Sequence, residues 1–182
     1  MKFCPDCGAP TERKVPPDED RERDVCSACQ TVHYSNPKVI VGCVPEHEGR
    51  ILMCKRAIEP RHGLWTLPAG FMENGETTAE GAARETWEEA AARAENLVLY
   101  RIFDVPHINQ VYMFYRCGIE QGEYGVGPES LETALLRPDQ IPWQEIAFPV
   151  VREILTEFLE DSRVSQFPVR HSVISLGRTR KH

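Results

Sequence analysis

Cys4-Pro5-Asp6-Cys7 and Cys26-Ser27-Ala28-Cys29 are two cysteine pairs with two residues inside each and eighteen between them, and they narrow sharply what the start of this chain can fold into. Two residues between paired thiols let both sulfurs on one tight turn reach the same ion, and two such turns complete a tetrahedron. With four protein ligands there is no open position for water, so the zinc expected here is structural. A lone redox pair or two disulfides would not explain why the spacing occurs twice, and no βαβ pattern surrounds either pair. Gly8 follows the first pair, where positive φ is often needed. The insert Thr11–Asp24, charged and carrying Pro16-Pro17, reads as a loop between the two short arms of a ribbon spanning residues 1–36. So short a segment buries little core, and zinc supplies the missing stability.

The chain's 182 residues leave room for one medium domain beside that ribbon. Hydrophobic residues at 41% and charged residues at 27% are ordinary for a soluble globular protein, and the sequence lacks an apolar run long enough to span a membrane. No apolar stretch follows Lys2, and seven cysteines without an export signal fit a reducing compartment, so the expected location is cytoplasmic. Cys43, Cys54 and Cys117 stand singly among apolar residues and are read as small buried side chains without chemistry. The net charge of −7 argues against non-specific binding to nucleic acid. Residues 161–182 depart from it, with Arg163, Arg170, Arg178, Arg180 and Lys181 against one acid. This basic tail is read as a solvated, partly mobile terminus, with contact to RNA or an acidic partner as the alternative.

Ser35-Asn36-Pro37 is turn chemistry and marks the boundary of a second domain, residues 37–160. Strands are expected at Lys38–Pro45, Arg50–Arg56, Leu97–Val105, Gln110–Ile119 and Leu131–Leu136. A helix starts at the capping box Thr77-Thr78-Ala79-Glu80 and runs to Ala94, and another covers Pro149–Leu159. Strands with two inserted helices make an α/β domain.

The first helix carries the chemistry. At about 100° per residue, Glu88 and Glu89 flank Glu85, so three carboxylates share an arc of about 100°. Like charges four residues apart are locally unfavourable. A small apolar stripe of Ala79, Ala82, Ala83, Thr86 and Ala90 adjoins them, so the acids stand beside the packing face. Carboxylate oxygens without a cation partner are what Mg²⁺ takes as ligands, while charge alone leaves a solvated acidic face open as the alternative.

The spacing is more specific. Gly70, five residues, Glu76, seven residues, Arg84-Glu85, two residues, Glu88-Glu89 resembles the Nudix box, and Leu67–Gly75 resembles the family's lead-in. Thr86 replaces the usual aliphatic residue, and Ala91-Ala92 stand where the family has glycine and an aliphatic. The resemblance implies an α/β/α sandwich with a mixed sheet behind a small zinc ribbon, and hydrolysis of a nucleoside diphosphate linked to another moiety. It implies Glu85, Glu88 and Glu89 as ligands of Mg²⁺ or Mn²⁺, joined by the Gly70 carbonyl, with Arg84 and Glu76 orienting them. For the general base, Glu129 and Glu132 are the candidates, and Arg56, Arg61 and Phe71 are candidates for substrate contact.

Zinc-ribbon members of the family resemble this chain in two groups. The NADH pyrophosphatases, which also cleave NAD caps from RNA, carry a Ser-Gln-Pro-Trp-Pro-Phe-Pro motif that is absent here; Ser165-Gln166-Phe167-Pro168 shares letters but comes too late. The shorter group includes ADP-ribose and FAD pyrophosphatases and is matched by His33-Tyr34-Ser35-Asn36-Pro37-Lys38, Ile141-Pro142-Trp143 and Ala147-Phe148-Pro149. The expected partner is thus a small nucleotide substrate, with no membrane or nucleic acid; a homodimer stays open. A nucleotide sensor that does not hydrolyse, with a protein- or nucleic-acid-binding ribbon, is the alternative class. The acidic body and the intact glutamates count against it.

Overall fold

A computed structural model describes residues 1–175, which divide into Met1–Pro37 and the chain from Lys38 onward. In the first unit, β1 (Thr11–Lys14), β2 (Arg23–Cys26) and β3 (Val32–His33) form an antiparallel sheet in the order β1-β2-β3. The third strand was not anticipated, because two residues give no alternation to read. Gly8 adopts φ +75°, and the buried apolar side chains of this unit include those of Cys4, Pro16, Val25 and Cys26.

The second unit is built on one mixed sheet. Its strands are β4 (Lys38–His47), β5 (Arg50–Arg56), β6 (Trp65–Thr66), β7 (Ala69–Phe71), β8 (Ala94–Val105), β9 (Gln110–Ile119), β10 (Ser130–Leu136) and β11 (Arg170–Val173). They run β10-β5-β4-β9-β8-β11, with β6 paired to β5 and β7 to β4. The β4–β9 and β8–β11 ladders are parallel and the others antiparallel. β4 and β5 pair only beside their turn, at Glu46↔Ile51 and His47↔Arg50, and then part so that β7 and β6 can add to them.

Two helices, α1 (Thr78–Ala90) and α2 (Pro149–Val164), cover opposite faces. Alternation along β4 shows it: Val41 and Cys43 pack with Ala82 of α1, whereas Val44 packs with Val151, Ile154 and Leu155 of α2. Ala82, Thr86 and Ala90 are wholly buried, so the small stripe lets α1 lie close to the sheet. Among the described residues no helix is long and apolar enough to cross a membrane.

Several boundaries differ from the sequence reading: β1 lies inside the insert read as a loop, β4 runs on to His47, and β8 starts at Ala94. α1 stops at Ala90 and not Ala94, because Ala91 turns left-handed (φ 45°, ψ 30°) and Ala94 already pairs with Ile119 of β9. The segment after residue 160 is no solvated tail as far as it is described. α2 continues through Val164, and β11 joins the sheet edge beside β8. Asp161, the one acid of that segment, accepts from Arg170 Nη1 (2.5 Å) and Nη2 (2.7 Å) and from the Tyr100 hydroxyl (2.7 Å), so an ion pair fixes part of the basic charge. Arg178, Arg180 and Lys181 lie outside the described residues.

Candidate active site and metal centre

α1 begins as its sequence dictates. Thr77 Oγ1 accepts from the Glu80 amide (3.2 Å), and the Glu80 carboxylate accepts from the Thr77 amide (2.7 Å), which satisfies two otherwise unpaired donors. The helix then presents Glu85, Glu88 and Glu89 to β7 and the loop before β10. Their environments are not alike. Glu88 is exposed, whereas Glu85 and Glu89 are buried, at 9% and 7% exposure.

The carboxylates also have more cationic company than the sequence suggests. Arg84 reaches Glu85 (2.7 Å) and Glu88 (2.9 Å) through Nη1, while Nε and Nη2 grip Glu76 at 3.0 and 2.9 Å; Nη2 also donates to the Phe71 carbonyl (3.1 Å). A residue adjacent to one acid and four before another is read as a neighbour on a wheel, but its long side chain also folds back to Glu76, eight residues earlier. Arg84, followed by the Glu73 amide, holds the Glu76 carboxyl down at about 2.

Arg84 makes no such contact with Glu89. Its Oε2 is buried without a partner, and burial, then the charge of Glu85, pushes its carboxyl up to about 8, against the opposing pull of Arg56. Burial likewise raises Glu85. Backbone makes room for this: a Cβ on Gly70 would lie 2.4 Å from the Glu85 carboxylate and would push that carboxylate out of its present position. A desolvated, incompletely paired carboxylate beside a second one is an environment that a hard divalent cation relieves. Carboxylate oxygens are the donors that Mg²⁺ or Mn²⁺ takes, and Glu85, Glu88 and Glu89 supply that donor chemistry.

The flanking candidates separate. The charge of Glu129 acts on both Glu85 and Glu89, whereas Glu132 points to Lys55 (3.8 Å) on β5. Arg56 acts on Glu89, donates from Nε to the Pro60 carbonyl (2.9 Å) and stacks on Phe148, with its guanidinium carbon 5.1 Å from the ring centre. Arg61 lies exposed in the loop after β5, at φ +71°. Phe71 is half-exposed beneath Lys38, whose Nζ lies 4.7 Å from the ring centre. Lys38 was not anticipated at this site, since its neighbour is 33 residues away in the chain. Cys54 is buried, and burial, then Glu89, pushes its thiol well up, which agrees with an inert packing role.

In the ribbon, Sγ of Cys4, Cys7, Cys26 and Cys29 lie within 4.8 Å of one another, with Cys4–Cys29, Cys7–Cys26 and Cys7–Cys29 at 3.8, 3.4 and 3.6 Å. A tetrahedron with Zn–S bonds of about 2.3 Å has edges of about 3.8 Å, so the four sulfurs fit a structural zinc.

An acidic helix face, on a mixed sheet covered by helices on both sides, frames a candidate divalent-metal site. Family comparison agrees: residues 36–158 match the NUDIX domain and residues 2–35 the Nudix N-terminal zinc ribbon. The chain belongs to the Nudix hydrolase family, enzymes that act on nucleoside diphosphate derivatives with divalent metals. It is similar to a NUDIX hydrolase of Nitrosomonas europaea, with 47% identity, a TM-score of 0.92 and coverage of 96% of this chain and 99% of that one. It is 30% identical over 159 residues to the NAD-capped RNA hydrolase NudC of Salmonella heidelberg, a match covering 86% of this chain and 59% of the relative. It is 33% identical over 102 residues to a MutT-like protein of Streptomyces ambofaciens, covering 56% of this chain and 64% of the relative. The chain thus spans about three fifths of the length of these curated relatives.

Proposed function

We propose that the chain hydrolyses the pyrophosphate bond of ADP-X compounds, with FAD and ADP-ribose the leading substrates, to AMP and X-phosphate. The reading is carried by the pairing of Glu85 with Glu89 in a buried site where Glu89 Oε2 has no partner. Bound divalent ions supply the positive charge that lets an anionic site hold an anionic diphosphate, and they acidify a water. Glu85, Glu88 and Glu89, with the Gly70 carbonyl, would hold those ions. Arg84 and Glu76 fix the carboxylates in place through the contacts described above, and Glu129 faces the site from the loop before β10 as the proton acceptor. Water adds across one phosphorus–oxygen bond of the bridge, leaving one phosphate on each product.

Divalent ions held by the carboxylates would grip only the diphosphate, so selectivity comes from the flanking groups. Arg56 with Phe148, and Lys38 with Phe71, are the side chains placed to supply it. A second reading, NADH or NAD-cap hydrolysis, is favoured by the NudC-like match, which runs along most of the chain. Against it, Phe167 of the late Ser-Gln-Phe-Pro stretch is half-buried and packs on Tyr100 and Phe158 at the edge of the core.

FAD, ADP-ribose, NADH and ATP assayed side by side with Mg²⁺ test the proposal. FAD or ADP-ribose is expected to show the highest kcat/KM, with AMP released, because contacts to X that strengthen in the transition state discriminate there. NADH above both would establish the second reading. ATP above all three would refute hydrolysis of ADP-X compounds.

A further inference from the structure

His33 lies outside the four-cysteine set, yet its Nε2 is 3.3 Å from Cys4 Sγ. A His33 ring nitrogen, an Asp6 carboxylate oxygen and that sulfur lie within 4.8 Å of one another. β3 places it there: Asp24↔His33 is one of only two register pairs joining β3 to β2, and β2 ends on the ligand Cys26. The other sulfurs have comparable neighbours. The amides of Ala28 and Cys29 donate to Cys26 Sγ at 3.4 Å each, and the Thr31 hydroxyl lies 3.2 Å from Cys29 Sγ.

We infer that His33 is a positioning residue of the zinc centre, donating its Nε2 proton to the Cys4 thiolate. A zinc-bound cysteine is a thiolate and carries no proton to give, so at this distance the imidazole must be the donor. That assignment fixes the ring as the Nε2–H tautomer. Four thiolates on one divalent ion leave a net charge of −2, and each N–H or O–H aimed at a sulfur spreads part of it. The contact also adds a second neighbour to the buried Cys4 sulfur, whose other close partner is Cys29 Sγ at 3.8 Å. Hydrogen-bonding partners of this kind change metal affinity by about 10- to 100-fold elsewhere.

The test uses the full zinc-loaded chain and the rate at which a chromophoric chelator removes zinc. His33→Ala is expected to release zinc faster by a factor on the order of ten. His33→Gln, which keeps an N–H donor, should recover much of the difference. Cobalt-substituted wild type and both variants should show the same all-sulfur tetrahedral absorption bands. Release from His33→Ala within twofold of wild type would overturn the inference. So would equal acceleration in both variants, which would reduce His33 to packing, or nitrogen ligation in the wild-type cobalt spectrum, which would make it a ligand. If His33→Ala takes up no zinc, the comparison of His33→Gln with wild type decides the matter: release within threefold of wild type supports the donor role, and faster release overturns it.

Discussion

Glu89 differs from Glu85 and Glu88 by a distinction that no helical wheel contains. All three share one arc, but Arg84 contacts Glu85 and Glu88, and the sheet buries Glu89 with one oxygen unpartnered. Its carboxyl rises from an ordinary 4.5 to about 8, first by burial. Between those values the folded chain keeps a proton that the unfolded chain has released. In protein that retains zinc but lacks Mg²⁺, stability therefore falls as pH rises from about 4.5 to about 8. Glu89→Gln should flatten that slope in thermal melts across the window, and Mg²⁺ should stabilise it less than wild type. Its kcat should fall by on the order of a hundredfold or more, the loss that the proposed role of Glu89 in holding metal entails. Retention of wild-type turnover at saturating Mg²⁺ would remove this helix face from the active site.

At the level of elements, the start of α1 is legible and its end is not. Thr77 and Glu80 are three residues apart, so the capping box can be read from the letters alone. The end depends on a loop more than thirty residues away. The amides of Gly125 and Gly127 donate to the carbonyls of Ala90 (2.7 Å) and Glu89 (3.1 Å), and a Cβ on Gly127 would lie 1.8 Å from the Glu88 carbonyl oxygen. These bonds satisfy terminal carbonyls that the next helical turn would otherwise have taken, and they bring the loop that carries Glu129 to the carboxylates. Ala91 nonetheless adopts the left-handed conformation where the family has glycine. Ala91→Gly should raise stability by about 0.5–1 kcal/mol, seen as a higher midpoint in urea, since glycine enters this region without a Cβ clash. An unchanged or lower midpoint would show that the loop bonds, and not the backbone conformation, govern this helix end.

Across the second unit as a whole, the segment past residue 160 closes the sheet edge. β11 covers β8, and the Asp161 carboxylate ties Arg170 and Tyr100 together beneath it. The Arg170 guanidinium, more than the Tyr100 hydroxyl, holds the Asp161 carboxyl below its usual value. That stabilisation is present above the unfolded pKa of about 3.9 and is lost as pH falls through the lower folded value. Asp161→Asn should cost about 1–3 kcal/mol near pH 7, the smaller figures reflecting a guanidinium that is partly exposed. Melts at pH 7 and at pH 2–3 should show the gap between variant and wild type narrowing in acid. An equal gap at both pH values would mean that the hydrogen-bond geometry matters and the charge does not.

Chemistry written in local spacing was determined by the sequence itself. The cysteine pairs, the capping box and the glycine-to-glutamate box need only short-range geometry, since two residues make a knuckle and 3.6 make a turn. Long-range pairing decided the rest. Whether Glu129 or Glu132 faces the carboxylates depends on the β5–β10 register and its irregularity between Ser130 and Glu132, which sends Glu132 to Lys55. Lys38 meets Phe71 because β7 adds to β4, and Arg170 meets Asp161 because β11 folds back parallel to β8. Each of these contacts is set by which strand lies beside which, a choice made by burying apolar area across the whole sheet and not by any residue's near neighbours.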